Sequence, residues 1–318
     1  LLLGLLPHAS ADYIHWVDFR LSAPVLRSAL ELDMASQGGE QPLDWIDILA
    51  LAAAWRGGTG VTVADTQRAA QALRGDTPPE RLPGMAGRYF SYYREAYGAA
   101  LGGLAGHFAI RRTDPQTGEA EWIPAYGLKA FSPIAAGYFW SHYPDFGAQR
   151  SYGYARPHLG NDILGALGTP ICAVEGGTVE ALGWNRYGGW RIGIRSDDRK
   201  RYYYYAHLRK DTPYAEGLAV GQRVQAGDVI GFMGRTGYSA QENVNNIETV
   251  HVHFGLQLIF DESQKECDSE IWIDVYPIIE LLASHCSSVA RDPQTGRWER
   301  LYPYCDLDAE PLRSAAAR

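Results

Sequence analysis

The 318-residue chain has few cysteines and no excess of positive charge. Its four cysteines, at positions 172, 267, 286 and 305, never occur in C-x-x-C spacing, so neither a thiolate zinc site nor a dithiol redox motif is indicated. Lys and Arg number 29 against 37 Asp and Glu, which gives a formal net charge of -8. This balance argues against a broad nucleic-acid footprint and against an electrostatic anchor on anionic lipid. We therefore expect no nucleic-acid partner.

Two motifs of familiar hydrolases are also missing. The sequence contains no H-E-x-x-H, which excludes a helical zinc site of the thermolysin type. It contains no G-x-S-x-G nucleophile elbow, and no other nucleophilic triad is evident. The glycines of 231–237 lack the spacing of a phosphate-binding loop and indicate a β-turn region. A hydrolase built on this chain would need a different set of residues.

The first eleven residues, LLLGLLPHASA, are mostly apolar and end in small residues. The A-S-A at 9–11 matches the cleavage pattern of a secretory signal, so we predict that residues 1–11 are the remnant of a signal peptide or anchor. The stretch is too short to span a bilayer alone, although an anchor could begin upstream of residue 1. The alternative is a short apolar arm packed on the core. Export would place the protein outside the cytoplasm, secreted or attached at the cell envelope.

The segment that follows has the spacing of helices. Apolar residues recur at helical intervals over 24–37, a second apolar run at 43–55 ends at Gly57-Gly58, and Ala-rich stretches follow at 65–73 and 88–104. Nothing in this part gathers His, Cys or carboxylates in ligand spacing. We interpret residues 12–104 as a helical accessory domain, and the sequence reveals neither its role nor a protein partner.

The rest of the chain changes to short β-rich runs separated by glycine turns. Residues 105–128 predict a β-hairpin connector around the turn D-P-Q-T-G, and residues 129–285 predict a mainly antiparallel β domain that a helix at 271–285 closes, with Pro277 starting or interrupting it. The same turn recurs at 292–296, so residues 286–318 are interpreted as a hairpin and tail. The predicted fold class is α+β, a helical N-terminal region followed by an antiparallel β domain.

The second D-P-Q-T-G turn lies between two cysteines, Cys286 and Cys305. A hairpin there would bring their sulfur atoms near each other. A disulfide between them, which an exported protein could form, and two free thiols both remain open at this point.

The most informative histidines are His251 and His253, in the run H-V-H-F-G. Alternation with apolar residues predicts a strand on which both imidazoles point to one face, roughly 6.5 Å apart along the backbone. Such a pair can serve one metal ion, either as two ligands or as one ligand and one group on the bound water. The alternative is a surface strand with two solvated histidines.

Two further groups could complete a site. His158 and Asp162 would be about 13 Å apart on a straight strand, but Gly160-Asn161 between them can turn the chain so that imidazole and carboxylate converge. His207 follows the Tyr-rich run at 202–205, where alternation places it on one face with Tyr203 and Tyr205. Taken alone, it would be a packed or surface histidine.

These three motifs, His158–Asp162, Y-A-H-L around His207 and H-V-H-F-G at 251–255, occur in the order and approximate spacing of the lysostaphin/LytM-type zinc endopeptidases. The glycine-rich segment 220–231 also resembles that family. The resemblance covers about residues 130–262. It implies that His158, Asp162 and His253 bind Zn²⁺, that His207 and His251 are the catalytic histidines that are not ligands, and that the fold is of the lysostaphin type.

Two His and one Asp would leave one zinc position open, as in catalytic rather than structural sites. Zinc there would polarise the scissile carbonyl and lower the pKa of water, while an unligated histidine could move the proton. The base could be His251 or His207, and the other would bind the water or the developing oxyanion. Aromatic residues, Tyr187 and Trp190 among them, are candidate groove walls, although ordinary sheet packing is the alternative.

The resemblance predicts a zinc-dependent endopeptidase that hydrolyses stem or cross-link peptides of bacterial peptidoglycan. One alternative is a non-catalytic cell-wall binding or scaffold module of the same fold, which would usually have lost one of the five residues. A third possibility is an enzyme for other exported peptides, or a carboxypeptidase. Which bond is cut does not follow from the sequence.

His158→Ala tests the implied ligand set. The variant should lose bound metal, because two remaining ligands hold zinc far more weakly than three. Zinc content per mole of purified protein measures this directly. Stoichiometric zinc in the variant would contradict the assignment.

Overall fold

A computed structural model of the chain describes residues 13–265, 267 and 269–309. The predicted signal or anchor remnant at 1–11 lies outside the described residues. Within them the chain forms five α-helices and seventeen strands, and the strands of every sheet pair in antiparallel fashion, which confirms the predicted α+β class. Among the helices so described, none has the length and apolar character needed to cross a membrane.

Four helices occupy the N-terminal part: α1 (Ala23–Ser36), α2 (Trp45–Arg56), α3 (Val63–Leu73) and α4 (Met85–Leu101). Helix α2 begins where the side chain of Asp44 accepts the backbone N–H of Ile46, and it ends at Gly57, whose φ is 63°. Nine of its twelve residues are buried, which places α2 at the centre of the helical layer.

The strands follow in chain order: β1 (Ala105–Thr113), β2 (Ala120–Leu128), β3 (Trp140–His142), β4 (Gln149–Arg150), β5 (Arg156–Pro157), β6 (Asn161–Gly165), β7 (Pro170–Cys172), β8 (Gly177–Asn185), β9 (Gly189–Ser196), β10 (Arg201–Ala206), β11 (Arg223–Val224), β12 (Val229–Phe232), β13 (His251–Leu258), β14 (Ile271–Trp272), β15 (Val289–Arg291), β16 (Trp298–Arg300) and β17 (Tyr304–Asp306). The main sheet has the order β11-β8-β9-β10-β13-β6-β3, and β14 also pairs with β13. Its buried face carries Tyr203, Tyr205 and Phe254, so the opposite face is free for polar groups.

A smaller sheet joins two parts of the chain that are distant in sequence. Strands β1 and β2 form an antiparallel hairpin, and β17 pairs with the other edge of β1. The segments 105–128 and 286–318, which the sequence analysis treated as separate units, therefore share a three-stranded sheet. Both D-P-Q-T-G turns have the same internal bonds, because Asp114 and Asp292 each accept the N–H groups two and three residues further on.

The closing helix is shorter than predicted. Residues 271–272 form β14, and helix α5 covers Tyr276–Leu282 with Pro277 in its first turn. Proline there needs no backbone N–H and its fixed φ suits the start of a helix, so it begins the helix rather than interrupting it.

The disulfide alternative for Cys286 and Cys305 is wrong in this structure, where all four cysteines are free thiols. The predicted hairpin does form, from β15 and β16. However, β17 leaves it to pair with β1, which places Cys305 opposite Ala109. Cys286 instead donates its thiol hydrogen to the carbonyl of Ala283.

A buried ion pair connects the main sheet to the helical region. Arg201 of β10 donates to both carboxylate oxygens of Glu175, at 2.7 and 3.1 Å, and to the carbonyl of Ala99 in the last turn of α4 at 2.7 Å. The hydroxyl of Tyr203 donates to the same carboxylate at 2.5 Å. Burial opposes the charge on Arg201, but Glu175 outweighs it and raises the pKa of the guanidinium. The pair is therefore charged and largely satisfied by hydrogen bonds.

Removal of one member of this ion pair should lower the free energy of unfolding. Arg201→Ala leaves the Glu175 carboxylate buried without its cation, so we expect the free energy of unfolding to fall by about 3–5 kcal/mol. The partly exposed pair of Arg223 and Asp197 provides the control, since Arg223→Ala should cost about 1 kcal/mol or less. Urea denaturation of both variants measures the difference, and equal losses would contradict the structural role of the buried pair.

Candidate metal centre and active site

The candidate site lies on the polar face of the main sheet, where β13 runs between β10 and β6. In the register, His253 lies opposite Asp162 of β6 on one side and Ala206 of β10 on the other. Strand alternation then turns His251 and His253 to the same face, as the sequence predicts, while Val252 packs in the core.

Three side chains converge there on one point. His158 Nε2 lies 3.0 Å from Asp162 Oδ1, His253 Nδ1 lies 3.2 Å from the same oxygen, and the two nitrogens are 2.7 Å apart. Within the described residues, these three are the group of His, Cys, Asp and Glu side chains whose arrangement could hold a metal ion. The bend at Gly160 brings His158 and Asp162 together. A side chain at this position would collide with the His253 ring, so the site requires glycine there.

The donor set fits zinc. A triangle with these three edges has a circumscribed radius of about 1.7 Å, shorter than the roughly 2.0–2.2 Å of zinc bonds to imidazole nitrogen and carboxylate oxygen. The three atoms are therefore close enough together to serve as ligands of one ion. Two imidazoles and one carboxylate, with a cavity in front of them, are the donors expected at a catalytic zinc site rather than a structural one.

His158 is oriented by a residue that the sequence analysis missed. Its Nδ1 lies 3.1 Å from both the carbonyl oxygen and a carboxylate oxygen of Asp145, groups that only accept, so Nδ1 carries the proton and Nε2 faces the site. Asp145 is itself buried and accepts hydrogen bonds from Asn161 and Arg150. No motif marks Asp145, since it lies outside the matched segments and reaches the site only through the fold.

Asp162 has a second partner outside the triangle. Arg150 donates to its other oxygen, Oδ2, at 2.9 Å, while Oδ1 faces the two ligand nitrogens. Burial alone would raise the pKa of Asp162, but the hydrogen bonds from His158 and His253 outweigh it and hold the pKa well below its usual range. The carboxylate is therefore ionised and presents one oxygen to the site.

His207 reaches the site by a departure from strand geometry. Strand alternation predicts that it shares a face with Tyr203 and Tyr205, which are buried in the core, but β10 ends at Ala206 and His207 adopts a φ of 61°. This left-handed conformation turns the ring to the polar face, where it lies beside His251 with ring centroids 4.7 Å apart. The predicted shared face was wrong, although His207 lines the same cavity as the other four residues.

Backbone carbonyls fix the orientation of both histidines outside the triangle. His207 Nδ1 donates to the carbonyl of Thr236 at 2.9 Å, and His251 Nδ1 donates to the carbonyl of Thr249 at 2.9 Å. Each Nε2 is thereby turned away from these carbonyls and towards the cavity, and that of His251 lies 3.7 Å from Asp162 Oδ1. Burial, with His251 and His253 close by, holds the pKa of His207 well below its ordinary value, so this ring is neutral at pH 7.

The five residues line a cavity of about 220 Å³. Tyr187 forms part of its wall, as the sequence analysis suggested, and the guanidinium of Arg156 lies 4.6 Å from the centre of the Tyr187 ring. Trp190 is absent from this wall among the described residues, since it packs against Trp184. Tyr238 was not predicted and lines the cavity as well.

Comparison with known proteins gives the class of this domain. Residues 156–266, which include all five site residues, match the model of Peptidase family M23. Over these residues the chain is similar to a family of peptidases, a class of hydrolases, and the predicted resemblance to lysostaphin/LytM-type peptidases is confirmed.

Particular relatives are similar over part of the chain. The L-Ala--D-Glu endopeptidase of Bacillus subtilis (strain 168) is 40% identical over 124 residues, which are 39% of this chain and 36% of the relative. The glycyl-glycine endopeptidase ALE-1 of Staphylococcus capitis is 37% identical over 98 residues, 30% of this chain and 24% of the relative. The chain thus spans about a third or less of the length of these relatives.

Among solved structures, the catalytic domain of the antimicrobial peptidase lysostaphin from Staphylococcus simulans aligns with a TM-score of 0.30 and 27% identity. The alignment covers 48% of this chain and 89% of that domain.

The charges around His158 predict an unusual titration in the metal-free protein. Burial favours the neutral ring, but the hydrogen bonds and charges of Asp145 and Asp162 outweigh it and raise the pKa of His158 to about 9. Because this pKa lies above the ordinary 6.5, the stability that the protonated ring contributes is fully present below pH 6.5 and is lost as the pH rises through 9.

Asp145→Asn tests this cause. Removal of the carboxylate charge should lower the pKa of His158 towards 6.5, measured by NMR titration of the imidazole in metal-free protein. The matched change Asp114→Asn, at the exposed hairpin turn, should leave it unchanged. An unaltered pKa in Asp145→Asn would show that Asp145 does not hold the proton on His158.

Proposed function

We propose that this protein is a zinc-dependent endopeptidase that hydrolyses peptide bonds of bacterial peptidoglycan outside the cytoplasm. The observation that carries the proposal is the convergence of five residues on one cavity, three with ligand atoms within 4.8 Å of one another and two with free Nε2 atoms beside them. The names of the related endopeptidases support the class of substrate.

In this proposal, His158 Nε2, Asp162 Oδ1 and His253 Nδ1 hold the zinc ion. The bound ion would supply a Lewis acid that polarises a peptide carbonyl and lowers the pKa of water towards neutrality. Asp145 and Arg150 act through the ligands, since they keep His158 and Asp162 turned to the metal. Of the polar atoms of the ligand side chains that face away from the ion, His158 Nδ1 and Asp162 Oδ2 have fixed partners. His253 Nε2 has none among the described residues, and its ring packs on Gly160.

The proton steps fall to His207 and His251. Both rings are anchored through Nδ1, so each offers Nε2 as an acceptor towards the reacting centre. One Nε2 takes the proton of the attacking water, and the pair returns a proton to the leaving amine. The ring that is protonated at that stage can also stabilise the developing oxyanion by donating to it.

The substrate lies along the cavity, between the wall formed by Tyr187, Tyr238 and Arg156 and the face of Tyr204. The related proteins cut different bonds: one is named for an L-Ala--D-Glu bond and the other for a glycyl-glycine bond. An extracytoplasmic location, with an anchor or signal before residue 12, follows from the substrate class and completes the proposal.

Release of new amino termini from purified peptidoglycan tests the activity. The zinc-loaded protein should release them, a chelator should abolish the release, and His251→Ala should lower the rate on the order of 10²–10⁴-fold because a proton-transfer group is lost. His107→Ala is the matched control, since that exposed histidine lies on β1 away from the cavity.

Mass spectrometry of digested muropeptides identifies the bond. Release of single terminal residues would instead indicate a carboxypeptidase. A protein that binds zinc and wall fragments but cleaves no wall peptide of any cross-link type would be a binding or scaffold module, and the proposal would fail.

A further inference from the structure

A second cavity of about 200 Å³ continues the groove beyond the candidate metal centre. It shares Leu159, Tyr204 and His253 with the first cavity, so the two form one continuous groove on either side of the His253 ring. Trp272 forms its far wall, packed so closely on β13 that a side-chain atom added at Gly255 would lie 2.8 Å from the indole. A peptide in the groove would pass directly from the metal centre into this cavity.

Arg191 of β9 points towards this cavity. Gly193 lies opposite Tyr204 in the sheet, and alternation puts Arg191 on the same polar face as Tyr204 and Ala206. Arg191 lines the second cavity, and its positive charge helps to lower the pKa of Tyr204 against the larger effect of burial, which raises it. Arg191 and the proposed ligand His253 therefore line the same cavity.

The guanidinium of Arg191 is unusual because its buried Nε has no hydrogen-bond partner among the residues that the structure describes. Within the same described part of the chain, no carboxylate lies within ion-pair distance of the side chain. A buried donor without a partner costs free energy, and a planar guanidinium matches a carboxylate with two parallel hydrogen bonds. The Arg191 side chain can therefore bind an anion that enters this cavity.

The other charged groups of this cavity are already engaged. Lys265 pairs with Glu180, and its ammonium also lies over the ring of Tyr202. Glu270 accepts the indole N–H of Trp272 at 2.7 Å. The described residues of the lining include two cations and one anion, which favours a negative ligand, and among them Arg191 is the cation that forms no ion pair with a described carboxylate.

We propose that Arg191 is a specificity-determining residue that binds a free carboxylate on the peptide substrate beside the scissile bond. The inference rests on the proposed function and refines it: the substrate class is an acidic stem peptide rather than an uncharged glycine bridge. The peptide would lie across the His253 ring with its carboxylate on Arg191 and its acidic residue against Trp272.

Two matched peptides test the inference: a wall stem peptide with a free carboxylate on its D-Glu residue, and the same peptide with that group converted to the amide. For the zinc-loaded protein, kcat/KM should be roughly 10- to 100-fold higher for the acid than for the amide, the range expected for a charge-assisted pair. Arg191→Gln should reduce this ratio to about one, mainly through KM, and Arg191→Lys should restore part of it because the charge returns without the fork.

Arg112→Gln controls for the change in net charge, since Arg112 is exposed on β1 and lies outside the groove. It should leave the ratio as in the parent protein. An equal fall for both peptides in Arg191→Gln, or an unchanged ratio, would overturn the subsite.

Calorimetric binding of the two peptides to the zinc-loaded His251→Ala protein separates this inference from the proposed function. Tighter binding of the acid that Arg191→Gln abolishes, in a protein whose parent cleaves neither peptide, would uphold the subsite while the endopeptidase proposal fails. Cleavage of both peptides at equal rates would uphold the endopeptidase and remove the subsite.

Discussion

One carboxylate oxygen, Asp162 Oδ1, lies at the centre of the histidine cluster. Its distances to His158 Nε2, His253 Nδ1 and His251 Nε2 are 3.0, 3.2 and 3.7 Å. A partly buried carboxylate without hydrogen-bond partners would lower the stability of the fold, so the histidines stabilise it. The carboxylate in turn holds the histidines close to one another. The antiparallel register of β6 and β13 sets this arrangement, because a slip of one residue would turn Asp162 into the core and away from His253.

Backbone carbonyl groups set the orientation of three of the histidine rings. The carbonyls of Asp145, Thr236 and Thr249 each accept a ring Nδ1–H. Asp145 lies between β3 and β4, and the two threonines lie in the connection between β12 and β13. Each carbonyl decides which nitrogen of its histidine faces the cavity. The chemistry available to the site is therefore decided by loop backbone, while the sheet decides only which residues meet.

The buried ion pair of Arg201 and Glu175, in addition to apolar packing, joins the helical region to this sheet. Arg201 of β10 donates hydrogen bonds to the carbonyls of Gly98 and Ala99 at the end of α4, where the carbonyls of the last turn carry partial negative charge. Glu175 neutralises the guanidinium from the sheet side. A shift of α4 would therefore displace Arg201 and with it β10, the strand that ends one residue before His207.

The amino-acid sequence alone predicts the parts of the site that follow from local geometry. Two histidines at i and i+2 in an apolar strand must share a face, because side-chain direction in a strand alternates with period two. The glycine between His158 and Asp162 likewise allows their convergence, and the family resemblance implies their roles. The other features of the site depend on the tertiary fold. His207 left its predicted face because one residue adopted a positive φ after the strand ended. Asp145 and Arg191 carry no local signal, since a carboxylate or guanidinium acquires its function from the distant groups that the fold places beside it.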